Sequence, residues 1–153
     1  MKTIFIGSDH GGFEHKEAIK KSLLDAGYSV EDKGAFKHDE NDDYPDFIYP
    51  VAKAVAEDPE NRVGIVLGGS GQGEAIVANK VKGVRAAIGF SEWAVLMSRE
   101  HNDANVLSLG ARVIGSDEAI RFVHLWLNAP FEGKDRHRRR IEKIKKIENK
   151  LFQ

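Results

Sequence analysis

The densest chemistry in this chain lies in Gly68-Gly69-Ser70-Gly71-Gln72-Gly73-Glu74, where a hydroxyl and a carboxylate flank a run of glycines. Bare glycine backbone can approach a ligand closely, and a following helix turns its unpaired first-turn N–H groups towards negative charge. With no cysteine in the chain, Glu74 is the best general base this loop offers. A carboxylate in a first turn is otherwise a dipole partner, but its place directly after the loop sets it where a substrate would lie. Ser70 is a helix-cap candidate and, with the N–H groups of Gly71 and Gly73, a set able to stabilise an oxyanion. Together these residues describe proton transfer on an anionic, oxygen-rich molecule. The loop lacks the lysine of a nucleotide phosphate loop and the Gly-x-Gly-x-x-Gly spacing of a dinucleotide fold. Phosphoryl and hydride transfer are therefore disfavoured.

Two further groups carry acid–base side chains. Asp9-His10-Gly11-Gly12 reads by itself as a turn in which Asp9 caps the helix beginning at Phe13. In Arg99-Glu100-His101-Asn102-Asp103, His101 is either a dipole partner at a helix end or an acid/base group beside an orienting amide, Asn102. His15, His38 and His124 stand without polar company and are expected to be structural or solvent-facing. No set of His, Asp and Glu has convincing metal-ligand spacing. Arg136 and Arg140 fall four residues apart, so a helix presents both on one face, where two guanidinium forks can clamp one phosphate. The start of a helix disfavours such positive charge, and a bound anion would compensate it. A nucleic-acid surface is the competing reading, but aromatic interleaving is sparse and Lys plus Arg total 23 against 24 Asp plus Glu.

The elements that must position these groups alternate along the chain. Strand-like runs cover Thr3–Gly7, Tyr28–Glu31, Val63–Leu67, Val84–Phe90 and Val106–Leu109. Helical patterns cover Phe13 to Ala26, closed by Gly27, then Asp46 to Ala56 and Gly73 to Lys80. A further helix is opened by Ser91 and runs through Trp93, Leu96 and Met97; another is capped by Ser116. The last carries Ile141, Ile144 and Ile147 as an apolar stripe on a charged terminal helix, which reads as a dimerisation element more than an internal one. Five strands separated by helices predict a three-layer α/β/α, Rossmann-like fold with a parallel sheet, formed by residues 1–153 as a single domain. Ligands in such folds bind beyond the carboxyl ends of the strands, where Asp9 and the glycine loop fall. No signal-peptide pattern opens the chain, and no apolar run approaches the roughly 18 residues of a membrane span. A cytoplasmic protein without membrane or nucleic-acid partners is the expectation.

Taken in order, Gly7-Ser8-Asp9-His10-Gly11-Gly12, Asp42-Asp43-Tyr44-Pro45, the glycine loop, Ala78-Asn79-Lys80, Arg99-Glu100-His101-Asn102, Gly110-Ala111-Arg112 and Arg136-His137-Arg138-Arg139-Arg140 resemble the ribose-5-phosphate isomerase B family. That family also includes the galactose-6-phosphate isomerase subunits. The resemblance covers nearly the whole chain and implies interconversion of ribose 5-phosphate and ribulose 5-phosphate without metal or organic cofactor. One branch uses a cysteine at the position of Gly68 as base; this chain resembles the other branch, whose base is the glutamate matching Glu74. The resemblance further implies His101 as the acid that opens the sugar ring, assisted by Asp9. It gives Ser70, Asn102 and the backbone of Gly69, Gly71, Gln72 and Gly73 as the cradle of a cis-enediolate. His10, Arg112, Arg136 and Arg140 would hold the phosphate. It implies a homodimer, or a tetramer of paired dimers, with sites shared between subunits and His101, Asn102 and Arg112 reaching across. Isomerisation of another phosphosugar (galactose 6-phosphate, allose 6-phosphate or a tetrose phosphate) and non-catalytic phosphosugar binding are the alternatives.

Overall fold

The computed structural model describes residues 1–152. Its frame is a parallel sheet of β1 (Thr3–Ser8), β2 (Val30–Asp32), β3 (Arg62–Gly68), β4 (Ala86–Ile88) and β5 (Val106–Gly110), in the order β2-β1-β3-β5-β4. Alternating side chains leave opposite faces of a strand, and both faces here are apolar. Ile4, Ile6, Ile65, Leu67, Leu107 and Leu109 point into one core, under α1 (Phe13–Asp25), α4 (Glu92–Glu100) and α5 (Ser116–Asn128). Phe5, Val66 and Val106 point into the other, under α2 (Pro45–Glu57) and α3 (Gln72–Ala78). The three-layer α/β/α arrangement expected from the alternation of patterns is the one formed.

Boundaries shift where local geometry overrides pattern. Gly27, at φ 85°, ends α1 as expected, and β2 pairs only from Val30 onwards. β4 shrinks from the Val84–Phe90 expectation to Ala86–Ile88 because, at the sheet edge, it has only β5 to pair with. The Asn79 side chain, just past α3, takes the other side: its amide donates to the Ala86 carbonyl at 3.0 Å and its oxygen accepts from the Ala86 N–H at 2.9 Å. Ser91 caps α4 by accepting from the Ala94 N–H at 3.2 Å. Ser116 does not cap α5; Gly115 holds that position and Ser116 is the first helical residue.

The chain leaves β1 for β2 on one side and returns to β3 on the other, so the order switches between the carboxyl ends of β1 and β3. That is where a crevice opens in a doubly wound sheet. The last helix, α6 (Asp135–Leu151), belongs to neither face of the sheet. It starts beside the carboxyl end of α4, where the Glu132 N–H donates to the Glu100 carbonyl at 3.0 Å, and is tied again where the Gly83 N–H donates to Glu148 at 2.8 Å. Of its stripe, Ile141 is buried on its own domain, whereas Ile144 and Ile147 are 45% and 58% exposed. No helix among the described residues is long and apolar enough to cross a membrane.

Candidate active site

At the crevice, Asp9 leaves β1 and its Oδ1 accepts from the N–H groups of Gly11 and Gly12 at 2.9 and 3.3 Å. Asp9 thus caps a short 3-10 turn, His10–Gly12, and not α1 as expected; that turn intervenes, so Gly12 precedes α1 without a side-chain cap. The two bonds fix a buried carboxylate facing the loop that follows β3. That loop turns at Gly71, whose φ of 79° is a left-handed conformation suited to glycine. The end of β5 buttresses it from behind: Ser108 Oγ donates to the Gly71 carbonyl at 2.7 Å, and the N–H groups of Ala111 and Arg112 donate to the carbonyls of Gly68 and Gly69 at 2.8 and 2.9 Å. Ser70 is exposed, and its Oγ accepts from the Gln72 N–H at 3.2 Å; Gly71, not Ser70, is the N-cap of α3. Gly69 lies against Arg112, and Gly73 lies beneath the ring of Tyr44.

Glu74, in the first turn of α3, is only 4% exposed. Its carboxylate folds back beneath Gly68, so closely that a Cβ at residue 68 would fall 1.7 Å from Glu74 Oε1. Burial pushes this carboxyl above the ordinary glutamate range; amides of Glu74 and Gly71 pull the other way, and the nearby Asp9 charge adds to the rise. A buried base of raised proton affinity beside open helix N–H groups can both remove a proton and face the anion it creates.

His10 and Arg112 meet in the adjoining cavity of about 570 Å³, with Glu14, His15, His38 and Glu40 also on its wall. His10 is held by Asp42, a residue to which the sequence alone assigned no role. The ring Nδ1 lies 2.6 Å from Asp42 Oδ1, and the His10 N–H donates to the same oxygen at 3.0 Å. That bond raises the His10 pKa; burial and Arg112 act against it. His15 and His124 also have polar partners, contrary to expectation: His15 Nε2 lies 3.0 Å from the Ile114 carbonyl and His124 Nε2 lies 2.9 Å from Ser22 Oγ. Both bonds tie α1 to the α5 region and are structural. His38 is exposed, with its ring edge-on to His10 and Phe13.

The remaining residues gather elsewhere. Helices in this fold run antiparallel to the strands, so the carboxyl end of α4 sits at the amino edge of the sheet. His101 and Asn102 are there, beside Arg85, whose guanidinium donates to the carbonyls of Asn102 and Asp103 at 3.0 and 2.8 Å. His101 stacks on the buried His137, with ring centroids 4.3 Å apart. Arg136 Nε donates to His137 Nε2 at 3.4 Å. Burial, then the neighbouring His101 and Arg136, lower the His137 pKa. Arg136 and Arg140 are exposed on the first turns of α6, so the expected pairing on one helix face is formed. Across the five residues of β5, the two edges of the sheet stand about 17 Å apart. Within one chain, therefore, Glu74, Asp9, Ser70, His10 and Arg112 form one cluster, and His101, Asn102, Arg136 and Arg140 form another.

Folding also brings together two groups that sequence spacing did not reveal, Asp9–His10–Asp42 and His101–Glu132–His137, each with potential ligand atoms within 4.8 Å. In both, most of these atoms already serve protein partners, His101 being held by its stack on His137. Asp9 takes two amides, Asp42 takes His10, and Glu132 pairs with Lys134 at 3.0 Å.

A family profile described as Ribose/Galactose Isomerase matches residues 4–144. The curated ribose-5-phosphate isomerase B of Escherichia coli K12 is 43% identical over 150 residues, covering 98% of this chain and 99% of its own. The crystal structure of ribose-5-phosphate isomerase B from Mycoplasma genitalium with bound ribulose-5-phosphate superposes with a TM-score of 0.93 at 44% identity, covering 96% of each chain. The enzyme of the same name from Clostridium thermocellum gives a TM-score of 0.92 at 49% identity, covering 97% of this chain and 99% of that one. With the glycine loop, the buried glutamate and the sheet order agreeing with a likeness along the whole fold, this chain belongs to the ribose/galactose isomerase family.

Proposed function

We propose that this protein interconverts ribose 5-phosphate and ribulose 5-phosphate, with Glu74 as the proton-transfer base. The observation that carries the reading is the buried Glu74 carboxylate, lodged where a side chain at residue 68 would otherwise stand. Cysteine at that position and glutamate at 74 are thereby alternative ways to fill one volume, which supports the glutamate-base reading. With the ring opened by His101 and Asp9, Glu74 takes the proton from C2 of the aldose, becoming a carboxylic acid, and returns it to C1, while the O2 hydroxyl proton passes to O1 as C2 becomes the carbonyl carbon. The cis-enediolate between these steps is held by Ser70, Asn102 and the amides of the glycine loop. The phosphate, remote from the reacting carbons, is gripped by His10, Arg112, Arg136 and Arg140 and orients the sugar.

The two clusters at opposite sheet edges cannot serve one pentose phosphate within a single chain, which supports a homodimer whose subunits each complete the other's site. Arg112 lies against Gly69 of its own chain, so in this reading it serves its own subunit's site, and His101, Asn102, Arg136 and Arg140 are the residues supplied in trans. An exposed apolar surface offers the interface: Ile76, Phe90, Trp93, Ile144 and Ile147 are 45–71% exposed, around the edge strand β4 and the outer part of α6. The test of the function is an assay of the purified protein on a panel of aldose phosphates in deuterated water. Turnover of ribose 5-phosphate, with solvent deuterium entering the product, is the expected result. Preference for a six-carbon phosphate would transfer the same chemistry to that substrate; ligand-induced stabilisation with no exchange would make the protein a binder.

A further inference from the structure

The carboxylate of Asp42 comes from the loop between β2 and α2, 32 residues beyond His10, yet it receives both donors that His10 can offer on that side. The ring Nδ1 sits 2.6 Å from Asp42 Oδ1 and the backbone N–H 3.0 Å from the same oxygen, so ring and main chain are clamped together. The Asp42 side chain is only 9% exposed, and its second oxygen, Oδ2, is buried without a partner. A carboxylate held this far from water is strongly favoured by an adjacent positive charge. With Nδ1 committed to Asp42, the other ring nitrogen, Nε2, is the one left for a ligand.

We infer that Asp42 is a positioning residue for the substrate phosphate: it holds His10 as an oriented imidazolium, so that a cationic N–H as well as the Arg112 guanidinium meets the anion. This rests on the reading of the pocket as a phosphosugar site. The groups around the ring make the need for Asp42 plain. Arg112, from the loop after β5, opposes a charge on His10, and so does desolvation. Asp9 favours it at longer range, and His38 lies edge-on with its centroid 6.2 Å away. Glu14, His15 and Glu40 stand on the same cavity wall. Among all of these, the hydrogen bond to Asp42 is the largest influence on His10 and raises its pKa.

The consequence follows in sign. A raised pKa keeps the imidazolium to higher pH, so phosphate affinity is retained until the pH passes that raised value. Asp42→Asn keeps the shape and one acceptor oxygen but removes the charge, so the His10 midpoint falls. We expect KM for ribose 5-phosphate to rise about tenfold in the window between the two midpoints, as for loss of a charge-assisted hydrogen bond. Below both midpoints the two KM values should converge, and the loss should lie in KM rather than kcat. The ionisation of the substrate phosphate is common to both proteins and cancels in the comparison. Titration of the His10 ring protons by NMR in the free protein gives an independent readout, with an unchanged melting temperature as the control for folding. A midpoint identical in wild type and Asp42→Asn, or a KM ratio constant at every pH, would overturn the role given to Asp42. Failure of the wild type to turn over ribose 5-phosphate would instead overturn the functional reading and leave the NMR comparison standing.

Discussion

At the scale of single residues, the proposed proton transfer turns on how Glu74 is housed. Its carboxyl is buried and its pKa is raised chiefly by that burial, so the conjugate base is a stronger proton acceptor than an exposed glutamate. Glu74→Gln preserves volume but cannot accept a proton, and we expect kcat to drop about a thousandfold with KM little changed. The base must be ionised to act. Activity of the wild type should therefore fall as pH drops through the raised glutamate value, placing the acid limb of the kcat/KM profile above the ordinary carboxylate range. A profile whose acid limb lies at the usual glutamate value, or near-normal turnover by Glu74→Gln, would remove Glu74 from the role.

At the scale of elements, the strand–loop–helix unit of β3 and α3 can seat the Glu74 carboxylate in the proposed position because residue 68 has no side chain. Gly68 ends a strand with an ordinary extended backbone, so alanine there meets no conformational penalty of the left-handed kind. Its Cβ would, however, take the place of the Glu74 carboxylate, approaching Cδ to 2.2 Å. The atoms in the way belong to the end of a flexible side chain, which can swing aside. Gly68→Ala should thus leave the melting temperature nearly unchanged while costing about a hundredfold in kcat, the scale of an ångström-level misplacement of a catalytic group. Gly71 poses the opposite case. Its left-handed backbone and the Leu109 carbonyl carbon 3.1 Å from a would-be Cβ mean that alanine there strains the fold itself. A Gly68→Ala variant as active as wild type would show that the carboxylate position under residue 68 is not the reactive one.

At the scale of the whole molecule, the separation of the two clusters makes a mixing experiment decisive. Glu74→Gln and His101→Asn should each be inactive alone. When the two are unfolded together and refolded as a one-to-one mixture, half of the dimers are hybrids, and each hybrid has one site with both Glu74 and His101 intact. Activity should recover to about a quarter of the wild-type level if sites are completed across a two-fold interface. Sites built within one chain would recover nothing, since every site would still carry one defect. Replacing exposed apolar residues such as Trp93 and Ile147 with charged ones is the companion measurement, read as a shift of the assembly towards monomer by sedimentation.

Much of this protein was legible from residue order alone. The alternation of apolar runs and helical stripes dictates a doubly wound parallel sheet, because only that arrangement buries both faces of strands such as Ile65-Val66-Leu67. The glycine loop, Glu74 and the turn at Asp9 could be read because strand–loop–helix chemistry is local, confined to a few consecutive residues. What sequence could not carry is proximity between distant segments. The Asp42–His10 bond joins residues from separate loops, and the stacking of His101 on His137 joins the ends of two helices with α5 between them. Polar partners for His15 and His124 arise the same way, when α1 packs beside α5. Local spacing declares which residues can do chemistry, because helix and strand periodicity is a property of neighbours. Only the tertiary fold decides which of them share a site, because the strand order and the antiparallel return of each helix assign every loop to one edge of the sheet or the other.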